Sequence, residues 1–116
     1  MQEDASFNIV DRTLIIKLNC ELDHHNSEQI RKRADNIIDT KVIKNIIFDF
    51  ENVTFMESSG LGVIIGRYKK ILFNRGKVIV INVDNRVDRI MRMSGLYKIV
   101  ESCSSLDNAL KILENK

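Results

Sequence analysis

The side chains able to do chemistry in this chain are few, and most fail on spacing. His24 and His25 are the two histidines of the sequence. Adjacent side chains diverge in either regular backbone, so they make a poor metal pair without distant acidic partners, and no triad can be assembled around them. Their plainer role is that of polar residues at the mouth of a loop. Cys20 and Cys103 are separated by most of the chain and neither belongs to a C-x-x-C pair, which leaves no zinc or dithiol pattern. With a core large enough to do without staples, they read as two free thiols.

The run Ser58-Ser59-Gly60-Leu61-Gly62 invites three catalytic or nucleotide readings and satisfies none. A nucleophile elbow needs Gly two places before its serine, where Met56 and Glu57 stand. A phosphate-binding P-loop needs Gly-Lys followed by Ser or Thr, which never occurs. Gly60, Gly62 and Gly66 are spaced one residue too widely at the end for a dinucleotide fingerprint. What remains is a pair of hydroxyls where a strand passes into a helix. Ser58 or Ser59 can cap that helix, worth roughly 1 kcal/mol. Gly60 and Gly62 then occupy its first turns, at a cost of up to about 1 kcal/mol each relative to Ala. Two gains offset that cost: another surface can approach closely, and a group on a serine hydroxyl finds room. A phosphoryl group there adds about −1.5 to −2 charge beside unpaired backbone N–H groups. From the residues alone, regulatory phosphorylation and plain capping with close packing both stand.

The elements that position this run follow from periodicity. Phe7 to Val10 and Thr13 to Leu18 form a hairpin turning at Asp11-Arg12. His25-Asn26-Ser27 supplies capping groups for a helix whose stripe is Ile30, Ala34, Ile37 and Ile38, ending near Asp39-Thr40. Ile46 to Phe50 and Lys77 to Asn82 are nearly continuous apolar runs, the mark of strands covered on both faces. Helices are predicted from Ser58 to about Phe73, from Asp84-Asn85 to Met93, and from Leu106 to Leu113, with a short strand at Lys98 to Glu101. The order is β-β-α-β-α-β-α-β-α. It predicts an α/β fold with a mixed sheet of about five strands, an opening hairpin followed by parallel strands, and about four helices.

Composition agrees with one domain over residues 1–116: 44% hydrophobic and 29% charged residues are close to the globular average. The acidic start Met1-Gln2-Glu3-Asp4 leads into no apolar segment, and no tract is long enough to span a bilayer, so a cytoplasmic protein is expected. The net charge of +2 comes from basic groups at Arg31-Lys32-Arg33, Lys69-Lys70 and Arg86, Arg89 and Arg92. Glu28, Asp35, Asp84 and Asp88 flank or interleave them. These are solvated faces rather than a nucleic-acid surface, and no aromatic interleaving supports the latter.

The stretch Phe55-Met56-Glu57-Ser58-Ser59-Gly60-Leu61-Gly62-Val63-Ile64 resembles the signature of the anti-sigma-factor antagonist family, whose fold is the STAS domain. Glu21-Leu22-Asp23-His24-His25, Gly66-Arg67-Tyr68-Lys69 and Met93-Ser94-Gly95-Leu96-Tyr97-Lys98-Ile99 extend the resemblance across the chain, closest to the sporulation branch. It implies a non-enzymatic protein without metal or cofactor. Such a protein binds an anti-sigma factor that is also an ATP-dependent serine kinase, and so releases the sigma factor for transcription. The kinase phosphorylates an acceptor serine, here Ser58, and a PP2C-like phosphatase reverses the modification. Asp23, His24, His25, Glu57, Ser59, Gly60, Leu61 and Gly62 then surround the docking surface. The other reading within the family is a STAS antagonist in a different partner-switching pathway, such as a general stress response. The family usually carries Asp before its acceptor; Glu57 keeps the charge and moves the carboxylate about 1 Å outward.

Overall fold

A computed structural model describes residues 4–114; Met1–Glu3 and the last two residues lie outside them. Strand β1 (Ala5–Val10) turns through Asp11 and Arg12 into β2 (Thr13–Leu18), and α1 (His24–Thr40), β3 (Asn45–Asp49) and α2 (Ser58–Ile71) follow. The chain continues through β4 (Val78–Ile81), α3 (Asn85–Met93), β5 (Glu101–Cys103) and α4 (Leu106–Glu114). The five strands form one sheet in sequence order; β1 pairs antiparallel with β2 and every later neighbour is parallel. The hairpin turn holds both its residues at positive φ, 51° for Asp11 and 75° for Arg12. That is the conformation in which a two-residue connection matches the twist of paired strands.

Because the strand order never reverses, right-handed crossovers place α1, α2 and α3 on the same face. The side chains divide accordingly. Leu14, Ile16, Phe48, Val78 and Val80 face those three helices and meet Ile30, Ala34, Val63, Ile64, Val87 and Met91. The alternate residues Ile15, Ile47, Ile79 and Ile81 face α4 and its Ala109, Leu106 and Leu110. Three consecutive buried apolar residues in β3, Ile46, Ile47 and Phe48, and four in β4 are thus shared between two layers, as their nearly continuous apolar runs predict. Burying each such side chain fully stabilises the fold by about 1.5–3 kcal/mol.

Two boundaries differ from the sequence expectation. The strand predicted at Lys98 to Glu101 lies further on, at Glu101–Cys103, where Glu101 pairs with Ile79. Gly95, at φ 80°, instead starts a 3-10 turn over Leu96–Lys98 that buries Leu96 and Val100. Ile99 is left 37% exposed, so its β-branched neighbourhood answers to a turn and not to a ladder. The cap of α1 also differs: Asp23, not the His25-Asn26-Ser27 group, is the N-cap. His24 and His25 are already helical, in the first turn.

Candidate functional site

Two strand-to-helix connections, β2–α1 and β3–α2, are joined side by side at the carboxyl ends of their strands. Leu22 and Met56 form an isolated parallel bridge. Glu57 N donates to Leu22 O at 2.9 Å. Thr54 donates to the Glu21 carboxylate through its backbone N (3.1 Å) and its hydroxyl (3.2 Å). In a parallel bridge the residues just past the pair leave in the same direction. Asp23 and Glu57 are those residues, and each is the N-cap of its helix. The starts of α1 and α2 therefore stand together, which brings Asp23, His24, Glu57 and Ser58 to one end of the fold.

The two starts are built differently. At α1 the Asp23 carboxylate accepts from Asn26 N (2.9 Å) and the Asn26 amide oxygen accepts from Asp23 N (3.0 Å), a reciprocal capping box. The buried Asn26 also donates through Nδ2 to Glu21 O and to Cys20 Sγ, the latter at 3.2 Å. Burial raises the pKa of the Cys20 thiol, with smaller contributions from Asp4, Asp23 and Glu21, so it sits there as a neutral packing group. At α2 no side chain caps the helix. The N-cap residue is Glu57, which makes no side-chain capping bond, and neither serine takes its place. The expected capping role of Ser58 or Ser59 is thereby corrected: both lie one or two residues inside the helix, where a hydroxyl no longer reaches the free N–H groups from the N-cap side. Ser58 is exposed; Ser59 is half-buried, and its Oγ has no hydrogen-bond partner among the described residues.

The glycines separate as well. Gly60 is buried, and a Cβ on it would lie 2.9 Å from Leu22 Cβ and 3.2 Å from Met56 Cβ. Its missing side chain lets the two loops close on each other, so the expectation that Gly60 clears room for an outside partner is corrected: it lines no surface. Gly62 has nothing within 4 Å of its Cβ position and is exposed, and Leu61 beside it is half-buried. Of the small residues in this run, Gly62 is the one that leaves space outside the protein.

Sequence reasoning passed over Arg67 as a functional determinant. It is 6% exposed and holds α2 against α1, its Nε 2.9 Å from Asp35 Oδ1 in an ion pair without hydrogen-bond alignment. Lys70 reaches Asp39 at 2.7 Å and Asp35 at 3.7 Å, and Arg31 reaches Asp35 at 3.5 Å. Desolvation lowers the Arg67 pKa, countered chiefly by Asp35. Position 67 lies three residues after Ile64 and four before Ile71, on the apolar face of the helix, so spacing could have flagged it; its charge reads as surface, and Asp35 of α1 is what lets it sit inside.

Half of the residues in the basic groupings are engaged within the fold. Arg31 also pairs with Glu28, Arg33 stacks on Phe7 with its guanidinium carbon 4.4 Å from the ring centre, and Arg92 pairs with Asp88 at 3.1 Å. Tyr97 donates to Asp88 at 2.6 Å, and burial together with that bond pushes the phenol up to about 12. Among the described residues no group of three His, Cys, Asp or Glu converges on a metal-sized site, and no helix is long and apolar enough to cross a membrane.

A sheet in sequence order, three helices on one face, and an exposed serine at an uncapped helix start beside a second loop are the features to set against known families. The STAS domain family matches residues 4–109, and the chain belongs to that family, within its anti-sigma factor antagonists. It is 44% identical over 101 residues to the anti-sigma F factor antagonist of Paenibacillus polymyxa, covering 87% of this chain and 86% of that one. The structure of the anti-sigma factor antagonist SpoIIAA in its unphosphorylated form superposes with a TM-score of 0.86 at 31% identity, over 97% of each chain. The phosphorylated form of the Bacillus cell fate determinant SpoIIAA gives 0.75 at 31% identity, over 94% of this chain and 98% of that one.

Proposed function

We propose that this chain is the phosphorylation-gated antagonist of an anti-sigma factor in sporulation, one domain acting in the cytoplasm. Unmodified, it docks the end of the fold carrying Ser58 against an anti-sigma factor that is also a serine kinase, and the sigma factor is released. The kinase transfers the terminal phosphoryl group of its ATP to the Ser58 hydroxyl, with loss of the hydroxyl proton. A PP2C-like phosphatase restores the serine. The protein contributes the acceptor and the docking surface and performs no catalysis itself.

The observation that carries this reading is the exposed Ser58 at a helix start with no side-chain cap, beside the start of α1 with Asp23 and His24. Free N–H groups at that start make a phosphate tolerable to the fold itself. A partner seated there meets a dianion next to Glu57. Each 1.4 kcal/mol of penalty is a tenfold loss of affinity, and a charge desolvated without a partner costs several times that. No rearrangement of the domain is required. The solved forms of SpoIIAA, unphosphorylated and phosphorylated, support a two-state reading of a relative with this fold.

The test is incubation with the anti-sigma F factor of the source organism and ATP, followed by mass mapping and affinity measurement. Phosphate is expected on Ser58 alone, with Ser58→Asp binding at least tenfold more weakly than the wild type and Ser58→Ala binding but refusing the label. Labelling of Ser58→Ala at unchanged stoichiometry overturns the acceptor assignment.

A further inference from the structure

Beside the acceptor loop lies an open groove lined by Thr54, Asp84, Asn85, Arg86 and Arg89. We infer that this groove is a second docking element, which receives an acidic segment of the same anti-sigma partner while Ser58 and its neighbours meet the rest. The inference rests on the reading of the chain as an anti-sigma factor antagonist and adds to it the charge of the partner at a second place.

Arg86 and Arg89 are both exposed and form no ion pair with any described residue, unlike Arg31, Arg67 and Arg92. The one carboxylate in the groove, Asp84, is occupied: it accepts from Val87 N at 2.9 Å as the N-cap of α3. The groove thus sets two guanidinium groups without ion-pair partners among the described residues against one carboxylate that caps a helix, an excess of positive charge. Positions 86, 89 and 93 share one face of a helix, and Met93 on it is 81% exposed. Across the groove Thr54 is fixed by the Glu21 carboxylate, and the next residue, Phe55, is 45% exposed. Arginine with a neighbouring aromatic ring and methionine is the composition enriched where proteins meet. The unpaired guanidinium groups select carboxylates, which they can hold bidentately.

The position also separates the two loops by task. Ser58 stands where the β3–α2 connection enters its helix, and Thr54 and Phe55 belong to the same connection, so a partner covering Ser58 continues onto the groove without a gap. Asp23, in the β2–α1 connection, and the two arginines, in the first turns of α3, stand on opposite sides of the β3–α2 connection that carries Ser58, following the order of the strands. A partner must therefore present carboxylate toward α3, which fixes the direction in which it docks.

The test compares Arg86→Glu/Arg89→Glu with Lys41→Glu/Lys111→Glu, an equal change of net charge at exposed sites away from the groove, in binding to the source organism's anti-sigma F factor at 50 and 300 mM salt. The groove variant is expected to bind at least tenfold more weakly, mainly through slower association, and to lose most of the salt dependence; Arg86→Gln/Arg89→Gln should fall between it and the wild type. Matching thermal midpoints certify the fold. Wild-type-like affinity of the groove variant, with Ser58→Asp still defective, overturns this inference and leaves the antagonist reading standing. An equal loss in the Lys41/Lys111 control also overturns it, since net charge alone would then explain the effect. If wild-type protein fails to bind, or binds irrespective of Ser58, both readings fall.

Discussion

The starts of α1 and α2 lie side by side, follow the same kind of strand end and carry a carboxylate at the N-cap, yet they are finished in opposite ways. At α1, Asp23 and Asn26 satisfy each other's backbone, and the Asn26 amide ties the turn to the preceding loop. At α2, Glu57 makes no cap, Ser58 is exposed and the Ser59 hydroxyl has no partner among the described residues. The difference is one methylene and one amide. An aspartate reaches back to the third backbone N–H; a glutamate overshoots it. The closed start anchors the loop that frames the site; at the open start Gly60 N turns to the Glu57 carbonyl at 2.9 Å, and the Ser58 and Ser59 N–H groups and a hydroxyl are left for chemistry arriving from outside.

That contrast can be broken most sharply where the two starts touch. Gly60→Val puts atoms where Leu22 and Met56 already are, and should destabilise the fold by about 3 kcal/mol, the upper end of ordinary overpacking costs. Gly62→Ala, two residues on, meets nothing and should stabilise the helix by up to about 1 kcal/mol. Urea unfolding of both variants checks the pair, and a harmless Gly60→Val would mean the loops are not packed as described. Next in size is the capped start: Asn26→Ala removes the amide that serves three backbone or thiol partners and should cost about 1–2 kcal/mol. Smallest are changes at the open start. Ser58→Ala should move stability by less than about 0.5 kcal/mol, since the hydroxyl caps nothing, and Glu57→Asp should raise it by about 0.5–1 kcal/mol by supplying the absent cap. A loss on Ser58→Ala as large as that of Asn26→Ala would erase the distinction between the two helix starts.

The same local signals mislead in one place and succeed in another for a physical reason. Ser-Ser at a helix start reads as capping because hydroxyls favour N-caps, but the bridge between Leu22 and Met56 makes Glu57 the last extended residue and draws the serines one step into the helix. At α1 the same kind of bridge residue precedes Asp23, and the cap moves two positions earlier than the His25-Asn26-Ser27 group. Gly60 likewise reads as room for a visitor, and serves a neighbour in the same chain.

By itself the sequence determined the order of elements, the two-sided burial of β3 and β4, and the motif that points to Ser58. Those depend on periodicity and on residue type within a few positions, which local pattern carries. Tertiary structure alone decided which helix start is closed, which glycine is internal, that Arg67 is buried against Asp35, and that Arg86 and Arg89 border the acceptor loop. Each of these is a contact between segments far apart in the chain, and no one segment's composition records what will be packed against it.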